Sequence, residues 1–137
     1  MTGEQPLRVV VDTHGRTPPG ARALDGAAPT WVATAEELGK GPDGHVDLNA
    51  LMDGLWARER TLVLLEGGPT LAGGFLRAGL VDRVIAYLAP TLLGDGVHAL
   101  AGTGISTLAD GIGLDLTDVT RVGPDLRVTA RPRRQEP

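Results

Sequence analysis

The chain has 137 residues, a length that suits one domain with a single core, and its net charge is −4. The negative charge argues against nucleic acid as a partner, and an aromatic content of 3% leaves no platform for stacking bases. Because the chain has no cysteine, disulfides, thiolate metal sites and cysteine nucleophiles are excluded, which fits a cytoplasmic protein.

Short apolar runs separated by turns predict alternating strands and helices in the first half of the chain. Residues 7–11, a β-branched run closed by Asp12, predict a buried strand, and residues 30–34 predict a second strand after an extended loop. Asp47 is predicted to cap an amphipathic helix. The apolar positions of that helix, expected in the core, are Leu48, Leu51, Met52, Leu55 and Trp56.

The second half of the chain predicts mostly strands. Residues 81–89 predict a strand that Pro90 ends, and residues 92–104 are glycine-rich and typical of a loop. Residues 115–121 and 126–130 alternate in polarity on either side of a Gly-Pro turn. This pattern predicts an antiparallel hairpin.

Between these halves, residues 61–79 change from a strand pattern to a helix pattern at a pair of glycines. Residues 61–65 are an unbroken apolar run, which predicts a strand buried on both faces of a sheet. From Leu71 the apolar residues recur at helical spacing, and Gly79 is predicted to end the helix.

The turn between strand and helix has the features of an anion site. Gly67 and Gly68 would let backbone approach a phosphate, and Pro69 suits the first helical position, where free N–H groups and the helix dipole favour negative charge. On spacing alone, a tight connection explains the glycine pair equally well. Gly73 and Gly74 each cost about 1 kcal/mol relative to Ala inside a helix, so close packing or a ligand along the helix must compensate.

Polar residues follow both of the predicted buried strands. If these strands are parallel, Asp12 and Thr13 emerge on the same rim as Glu66 and Gly68, where α/β folds bind ligands. Capping of the following turn is the favoured role for Asp12 over catalysis. Arg16 and Arg22 are candidates to meet phosphate, although each also suits a solvated surface.

Other reaction classes find no support in the sequence. His14, His45 and His98 lack metal-binding spacing, so no metal site is predicted, and Ser106 lies in no GxSxG elbow. No apolar run approaches the roughly 20 residues that span a bilayer, and no signal peptide opens the chain, so we expect no membrane partner.

Four segments, in order, carry a resemblance to a known family. They read PLRVVVDTHGRTPPGARAL, DGHVDLNALMDGL, LVLLEGGPTLAGGFLRAGLVDRVIAYLAPTLLG and VTRVGPDLRVTARP. Together they resemble the reductase domain of the bifunctional riboflavin-biosynthesis deaminase/reductase, over most of residues 6–132. The resemblance implies a dihydrofolate-reductase-like α/β fold, with a mostly parallel sheet flanked by helices and a C-terminal antiparallel hairpin, in one reductase-type domain over residues 1–137.

The resemblance also implies a function. It implies NADPH-dependent reduction of 5-amino-6-(5-phosphoribosylamino)uracil to the ribitylamino product, by a homodimer. By position, Glu66 would contact the substrate and Thr13 the cofactor, and Arg16 offers a partner for the 2′-phosphate of NADPH. The residues that would wrap the cofactor diphosphate are Gly68, Pro69, Thr70, Leu71, Ala72, Gly73 and Gly74.

The sequence also departs from the family pattern. The family's reductase domain begins well before PLRVVVD, so we expect an N-terminally truncated domain that lacks the zinc-binding deaminase domain. Residues 35–46 leave no room for the family's usual helix and strand. Three interpretations therefore stay open: a reductase, a non-catalytic remnant or half of a split enzyme that keeps the nucleotide-binding turn, and a related reductase acting on a pterin. No residue is assigned as the proton donor.

Overall fold

The structure, a computed structural model, describes residues 5–133. These residues belong to two compact units, the first ending at Val63 and the second beginning at Leu64. Between residues 5 and 133, no helix has the length and apolar character that a membrane span requires.

The first unit contains a parallel pair of strands. Strand β1 (Arg8–Asp12) pairs with β2 (Thr30–Thr34), with Arg8 opposite Thr30 and Asp12 opposite Thr34. Both strands consist largely of β-branched residues, which suit the pleated backbone. The loop that connects them includes one 3-10 turn, Arg22–Leu24. Both predicted strands are therefore confirmed.

Two helices follow β2. Helix α1 (Ala35–Leu38) is a single turn, and an isolated bridge joins Lys40 to Val46. The prediction that residues 35–46 leave no room for a helix was therefore wrong, since they contain this short one. Helix α2 (Leu48–Ala57) begins as predicted at Asp47, whose carboxylate accepts hydrogen bonds from the backbone N–H groups of the next turn.

The core of the first unit is small. Its buried apolar residues are Ala33, Val46, Leu51 and Leu55. The prediction that Trp56 belongs to the core was wrong, since 71% of it is exposed. Successive residues of a helix lie about 100° apart, so the narrow face that buries Leu51 and Leu55 turns Trp56 toward solvent.

The other tryptophan, Trp31 of β2, packs against the end of α2. The Arg58 guanidinium lies 3.9 Å from the ring centroid, and the indole N–H donates to Glu37 at 3.0 Å. A β-carbon on Gly54 would lie 2.7 Å from the Trp31 ring. The glycine inside α2 therefore lets the helix approach β2 closely.

The second unit combines one helix with an antiparallel sheet. Helix α3 (Pro69–Arg77) precedes strands β3 (Val84–Leu88), β4 (Leu114–Val122) and β5 (Asp125–Pro132), which pair in the order β3-β5-β4. The predicted hairpin is confirmed as β4 and β5, with a bulge between Leu116 and Asp118. The described chain thus contributes one parallel pair and two antiparallel pairs. The loop predicted at residues 92–104 contains no helix or strand.

The apolar run at residues 61–65 is not a strand. It forms no ladder with any residue between 5 and 133, and Leu62 and Leu64 are 91% and 76% exposed. The prediction of a buried parallel strand, and of its pairing beside the first strand, is therefore wrong for the described residues. A strand forms only by hydrogen bonding to a neighbour, which no sequence pattern can supply by itself.

Candidate functional site

The start of helix α3 leaves backbone donors without helical acceptors. Gly68 is the N-cap, Pro69 is the first helical residue, and no side chain caps the turn. The first helical hydrogen bond runs from the Ala72 N–H to the Gly68 carbonyl at 3.1 Å. The N–H groups of Thr70 and Leu71 precede that bond, so they have no acceptor within the helix.

This first turn is also sterically open. A β-carbon on Gly68 would meet no atom within 4 Å. The dipole of α3 adds partial positive charge where the two N–H groups end the helix. Such a turn can bind phosphate oxygens through its backbone. Gly68 itself has φ −66° and ψ 174°, an extended conformation open to any residue, so backbone strain does not explain this glycine.

Gly73 and Gly74 are both buried in α3. The Ala101 carbonyl group occupies the space that a side chain on Gly73 would need, with its carbon only 2.9 Å from the added β-carbon. Of the two explanations that the sequence left open, close packing accounts for Gly73. Sequence reasoning missed this approach because nothing in a glycine-rich loop specifies where its backbone will lie.

The other end of α3 is fixed by local hydrogen bonds. Gly79 has φ +67°, in the left-handed region, and its N–H donates to the Leu76 carbonyl at 3.0 Å. The Leu80 N–H reaches the Phe75 carbonyl, also at 3.0 Å. These two bonds form a Schellman motif, which confirms Gly79 as the helix stop.

Glu66 lies just before the glycine turn, and its side chain is exposed. Among the described residues, its carboxylate has no hydrogen bond or ion pair, and no acidic residue occupies the first turn of α3. The alternative in which Glu66 only caps the helix is therefore not what the structure shows. The carboxylate is accessible to a ligand.

In the first unit, the buried Asp12 carboxylate organises the turn after β1. It accepts hydrogen bonds from the Thr17 N–H and hydroxyl, each at 2.7 Å, and from the His14 N–H at 3.3 Å. These bonds, the Thr17 hydroxyl first among them, hold the pKa of Asp12 well below its usual range. Turn capping, the favoured sequence interpretation, is what the geometry shows.

Two candidate residues share this turn. The Thr13 hydroxyl accepts a hydrogen bond from the Val46 N–H at 3.3 Å and lies 3.5 Å from the His45 Nδ1 atom. Arg16 is exposed and lies in the turn whose backbone the Asp12 carboxylate holds through His14 and Thr17. Arg22 is exposed as well. The structure thus places Thr13 and Arg16 on one turn, and the candidates from Gly68 to Gly74 together on α3.

No group of three or more His, Cys, Asp or Glu side chains that could hold a metal ion occurs between residues 5 and 133.

The helices and sheets described above belong to the dihydrofolate-reductase-like class of α/β folds, as comparison with solved structures shows. The sequence matches the RibD C-terminal domain family over residues 1–128, and the chain belongs to that family. The family resemblance and the dihydrofolate-reductase-like α/β fold predicted from the sequence are thereby confirmed. The predicted mostly parallel sheet is not found among the described residues, whose strands form one parallel and two antiparallel pairs.

Several named relatives are similar in sequence. Riboflavin biosynthesis protein RibD of Mycobacterium tuberculosis is 45% identical over 126 residues, which are 92% of this chain and 33% of the relative. RibD of Escherichia coli is 37% identical, covering 89% of this chain and 37% of the relative. The 2,5-diamino-6-ribosylamino-4(3H)-pyrimidinone 5′-phosphate reductase of Methanothermobacter thermautotrophicus is also 37% identical, covering 92% of this chain and 66% of the relative. The chain thus spans about a third of the length of the RibD proteins that it matches.

Solved structures show the same fold. Acinetobacter baumannii RibD superposes with a TM-score of 0.75 at 31% identity, over 93% of this chain and 37% of that protein. A deaminase/reductase from Thermotoga maritima gives a TM-score of 0.78 at 22% identity, over 96% of this chain and 39% of that protein, and supports the fold alone.

Proposed function

We propose that this chain is a reductase domain of riboflavin biosynthesis that uses NADPH to reduce 5-amino-6-(5-phosphoribosylamino)uracil to the ribitylamino product. Family membership supports the reaction class, and the name of the Methanothermobacter relative supports a phosphorylated ribosylaminopyrimidine as substrate. The observation that carries the proposal is the open, uncapped first turn of α3, which lies within the EGGPTLAG segment.

In this proposal the first turn of α3 binds the diphosphate of the cofactor. The Thr70 and Leu71 N–H groups donate to phosphate oxygens, and the absence of a side chain on Gly68 lets the diphosphate approach the backbone. Ala72, Gly73 and Gly74 follow in the segment that is proposed to lie along the diphosphate. NADPH supplies the hydride when bound, and the protein's part is to bind and orient it.

Three further residues have proposed roles toward the ligands. The exposed Glu66 carboxylate accepts hydrogen bonds from the substrate, since hydroxyl and amino groups are its natural donors. Thr13 contacts the cofactor through its hydroxyl. Arg16 pairs with the 2′-phosphate, so NADPH should bind more tightly than NADH.

The experiment that tests the proposal measures binding and turnover together. Titration of the protein with NADPH and with NADH, followed by the fluorescence of Trp31 and Trp56, should show tighter binding of NADPH. Loss of NADPH absorbance is then followed with the phosphoribosylaminouracil and, separately, with its 2,5-diamino-pyrimidinone counterpart. Equal binding of both cofactors contradicts the assignment of Arg16, and absence of NADPH binding contradicts the whole proposal.

A second candidate function is half of a split reductase, or a remnant that binds the cofactor without turnover. It is favoured by the exposed apolar segment at residues 61–65, which has no strand partner among the described residues. Under this candidate the chain binds NADPH but shows no turnover alone. Activity that appears on adding, as a separate polypeptide, the part of a related reductase domain that precedes the matched region indicates a split enzyme. Absence of activity even then indicates a remnant.

We also propose that the chain acts as a homodimer in the cytoplasm. The register of the antiparallel sheet places Leu88, Leu126, Val119 and Leu116 on one face, and these residues are 45–64% exposed. A second copy of the chain would bury this face. Light scattering should give twice the chain mass, and Val119→Asp should shift the protein to monomer.

A further inference from the structure

One face of helix α3 lies against the backbone of residues 101–104, a segment that we call the strap. Pro69, Gly73 and Arg77 are four residues apart, so they share this face of the helix. Each of them contacts the strap, one at the first turn, one in the middle and one at the last turn.

The contacts are of three different kinds. The Ala101 N–H donates to the Pro69 carbonyl at 3.0 Å. The Ala101 carbonyl group lies directly against Gly73, where any β-carbon would overlap its oxygen. At the other end of the helix, the Arg77 guanidinium donates to the Gly102 carbonyl.

The strap can follow the helix so closely because of its own glycines. Gly102 and Gly104 have φ +66° and +78°, in the left-handed region that glycine adopts readily. A β-carbon on Gly104 would lie 3.9 Å from the Arg77 side chain, so this part of the strap passes near the last turn of α3. Glycine at positions 102 and 104 therefore suits the backbone conformation of the strap beside Arg77.

From these contacts we infer that Gly73 and Arg77 are positioning residues, which hold the strap on α3 and thereby fix the first turn for binding the cofactor diphosphate. The inference rests on the proposed function. The first turn of a helix frays readily, and an uncapped turn has no side chain to restrain it. The bond between Ala101 and Pro69 supplies that restraint from outside the helix. A turn that is already ordered loses less entropy when it binds a ligand.

This role of Gly73 is a packing role. Its place on the buried strap face explains why a glycine stands inside the helix, because a side chain there would overlap the Ala101 carbonyl group. A side chain at position 73 would push the strap away and break the hydrogen bond to Pro69. The donors of the first turn would remain, but their geometry would no longer be fixed.

The test combines amide exchange with cofactor titration on Gly73→Ala. The amide of Ala101, bonded to Pro69, and the amide of Ala72, bonded to Gly68, should each exchange at least about tenfold faster than in the wild type. The Kd for NADPH should rise about tenfold, the usual loss when a hydrogen bond to a charged group is misplaced. Gly96→Ala is the matched control, because a β-carbon there meets no atom within 4 Å and its φ is not in the left-handed region.

A second pair of variants avoids any added bulk in the helix. Arg77→Ala removes the anchor at Gly102 and should raise the Kd for NADPH, whereas Arg77→Lys keeps a donor and should bind nearly as the wild type does. Recovery with lysine distinguishes the anchoring contact from a general loss of stability, which the melting temperatures of all four variants record.

The outcomes separate the two proposals. Faster exchange with unchanged NADPH affinity in Gly73→Ala contradicts the positioning role, as do unchanged exchange rates. If the wild type does not bind NADPH, the proposed function fails, while faster exchange in Gly73→Ala still supports the hold of the strap on the first turn.

Discussion

Two turns of this protein differ in whether their backbone N–H groups have acceptors. In the turn after β1, the Asp12 carboxylate accepts from the His14 N–H and from both polar hydrogens of Thr17. In the turn before α3, Gly68 offers no side chain, and the first helical N–H groups have no acceptor in the helix. The donors of the turn after β1 are satisfied without a ligand, and those of the turn before α3 are not.

The contrast indicates that one turn contributes to stability and the other to ligand binding. A buried carboxylate that accepts several hydrogen bonds stabilises the fold, and its depressed pKa reports that stabilisation. A helix start without a cap leaves its donors and dipole for an anion. Loss of the Asp12 carboxylate should therefore alter stability, and substitutions of Gly68 should alter binding.

The largest effect on stability is expected from Asp12→Ala. It leaves the Thr17 hydroxyl and the N–H groups of His14 and Thr17 without their acceptor, so the melting temperature should fall more than for the Gly68, Glu66 and Arg16 variants below. Asp12→Asn should retain part of the stability, since its amide still has one acceptor oxygen. Thermal unfolding is the measurement, with Asp53→Asn on the exposed face of α2 as the control. Equal melting temperatures for Asp12→Ala and the control would sink the interpretation.

The contribution of the Asp12 carboxylate to stability should depend on pH in the acid range. Because the pKa of Asp12 is lower in the folded than in the unfolded chain, its contribution is complete above the unfolded value of about 4 and is lost as the pH falls below it. The stability difference between the wild type and Asp12→Asn should therefore be constant near neutral pH and shrink in acid. The pKa values of Asp25, Asp110 and Asp118 are also lowered, so only the difference isolates Asp12.

The largest effect on binding is expected from Gly68→Asp, in the uncapped turn. An aspartate fits the extended conformation of Gly68, caps the helix and raises its stability by a few tenths of a kcal/mol. The same carboxylate competes for the N–H groups and repels the diphosphate, so the Kd for NADPH should rise about 100-fold. Gly68→Ser provides a cap without charge and should weaken binding less. A variant that is more stable and binds NADPH normally would contradict a diphosphate role for this turn.

Glu66→Gln should have an intermediate effect. The substitution is nearly isosteric, and the carboxylate has no partner among the described residues, so melting temperature and NADPH affinity should stay unchanged. In an active reductase, substrate binding or turnover should fall about tenfold, the value of one hydrogen bond to a charged group. A lower melting temperature with unchanged kinetics would instead assign Glu66 to the fold.

The smallest effect is expected from Arg16→Ala. The exposed arginine loses one ion pair with the 2′-phosphate, so NADPH affinity should fall a few-fold while NADH affinity does not change. Arg60→Ala, which changes another exposed arginine with no proposed ligand role, is the matched control. The measurement is the ratio of the Kd for NADPH to the Kd for NADH. A ratio that does not change in Arg16→Ala removes Arg16 from the site.

The sequence predicted those parts of the molecule that local patterns determine. Helix α2 with its Asp47 cap, the β4–β5 hairpin and the stop at Gly79 all depend on neighbours within a few residues. The same holds for Asp12, whose acceptor role is completed within the next turn.

Other features depend on contacts that are distant in sequence. Residues 61–65 have the composition of a buried strand, yet a strand requires a hydrogen-bonded neighbour. Trp56 has helical spacing, but the width of the buried face decides its exposure. Likewise, the approach of Ala101 to Gly73 joins residues that no periodicity relates. Within the candidate site, the glycine turn was predictable and the strap that lies against it was not.

The central claim is that the first turn of α3 binds a diphosphate through its backbone. Amide chemical shifts during titration with NADPH test it most directly, with inorganic pyrophosphate as a second ligand. The claim predicts that the Thr70 and Leu71 amides shift with both ligands, and that the Thr17 amide, already bonded to Asp12, does not. Saturable NADPH binding that leaves the Thr70 and Leu71 amides unmoved would contradict it.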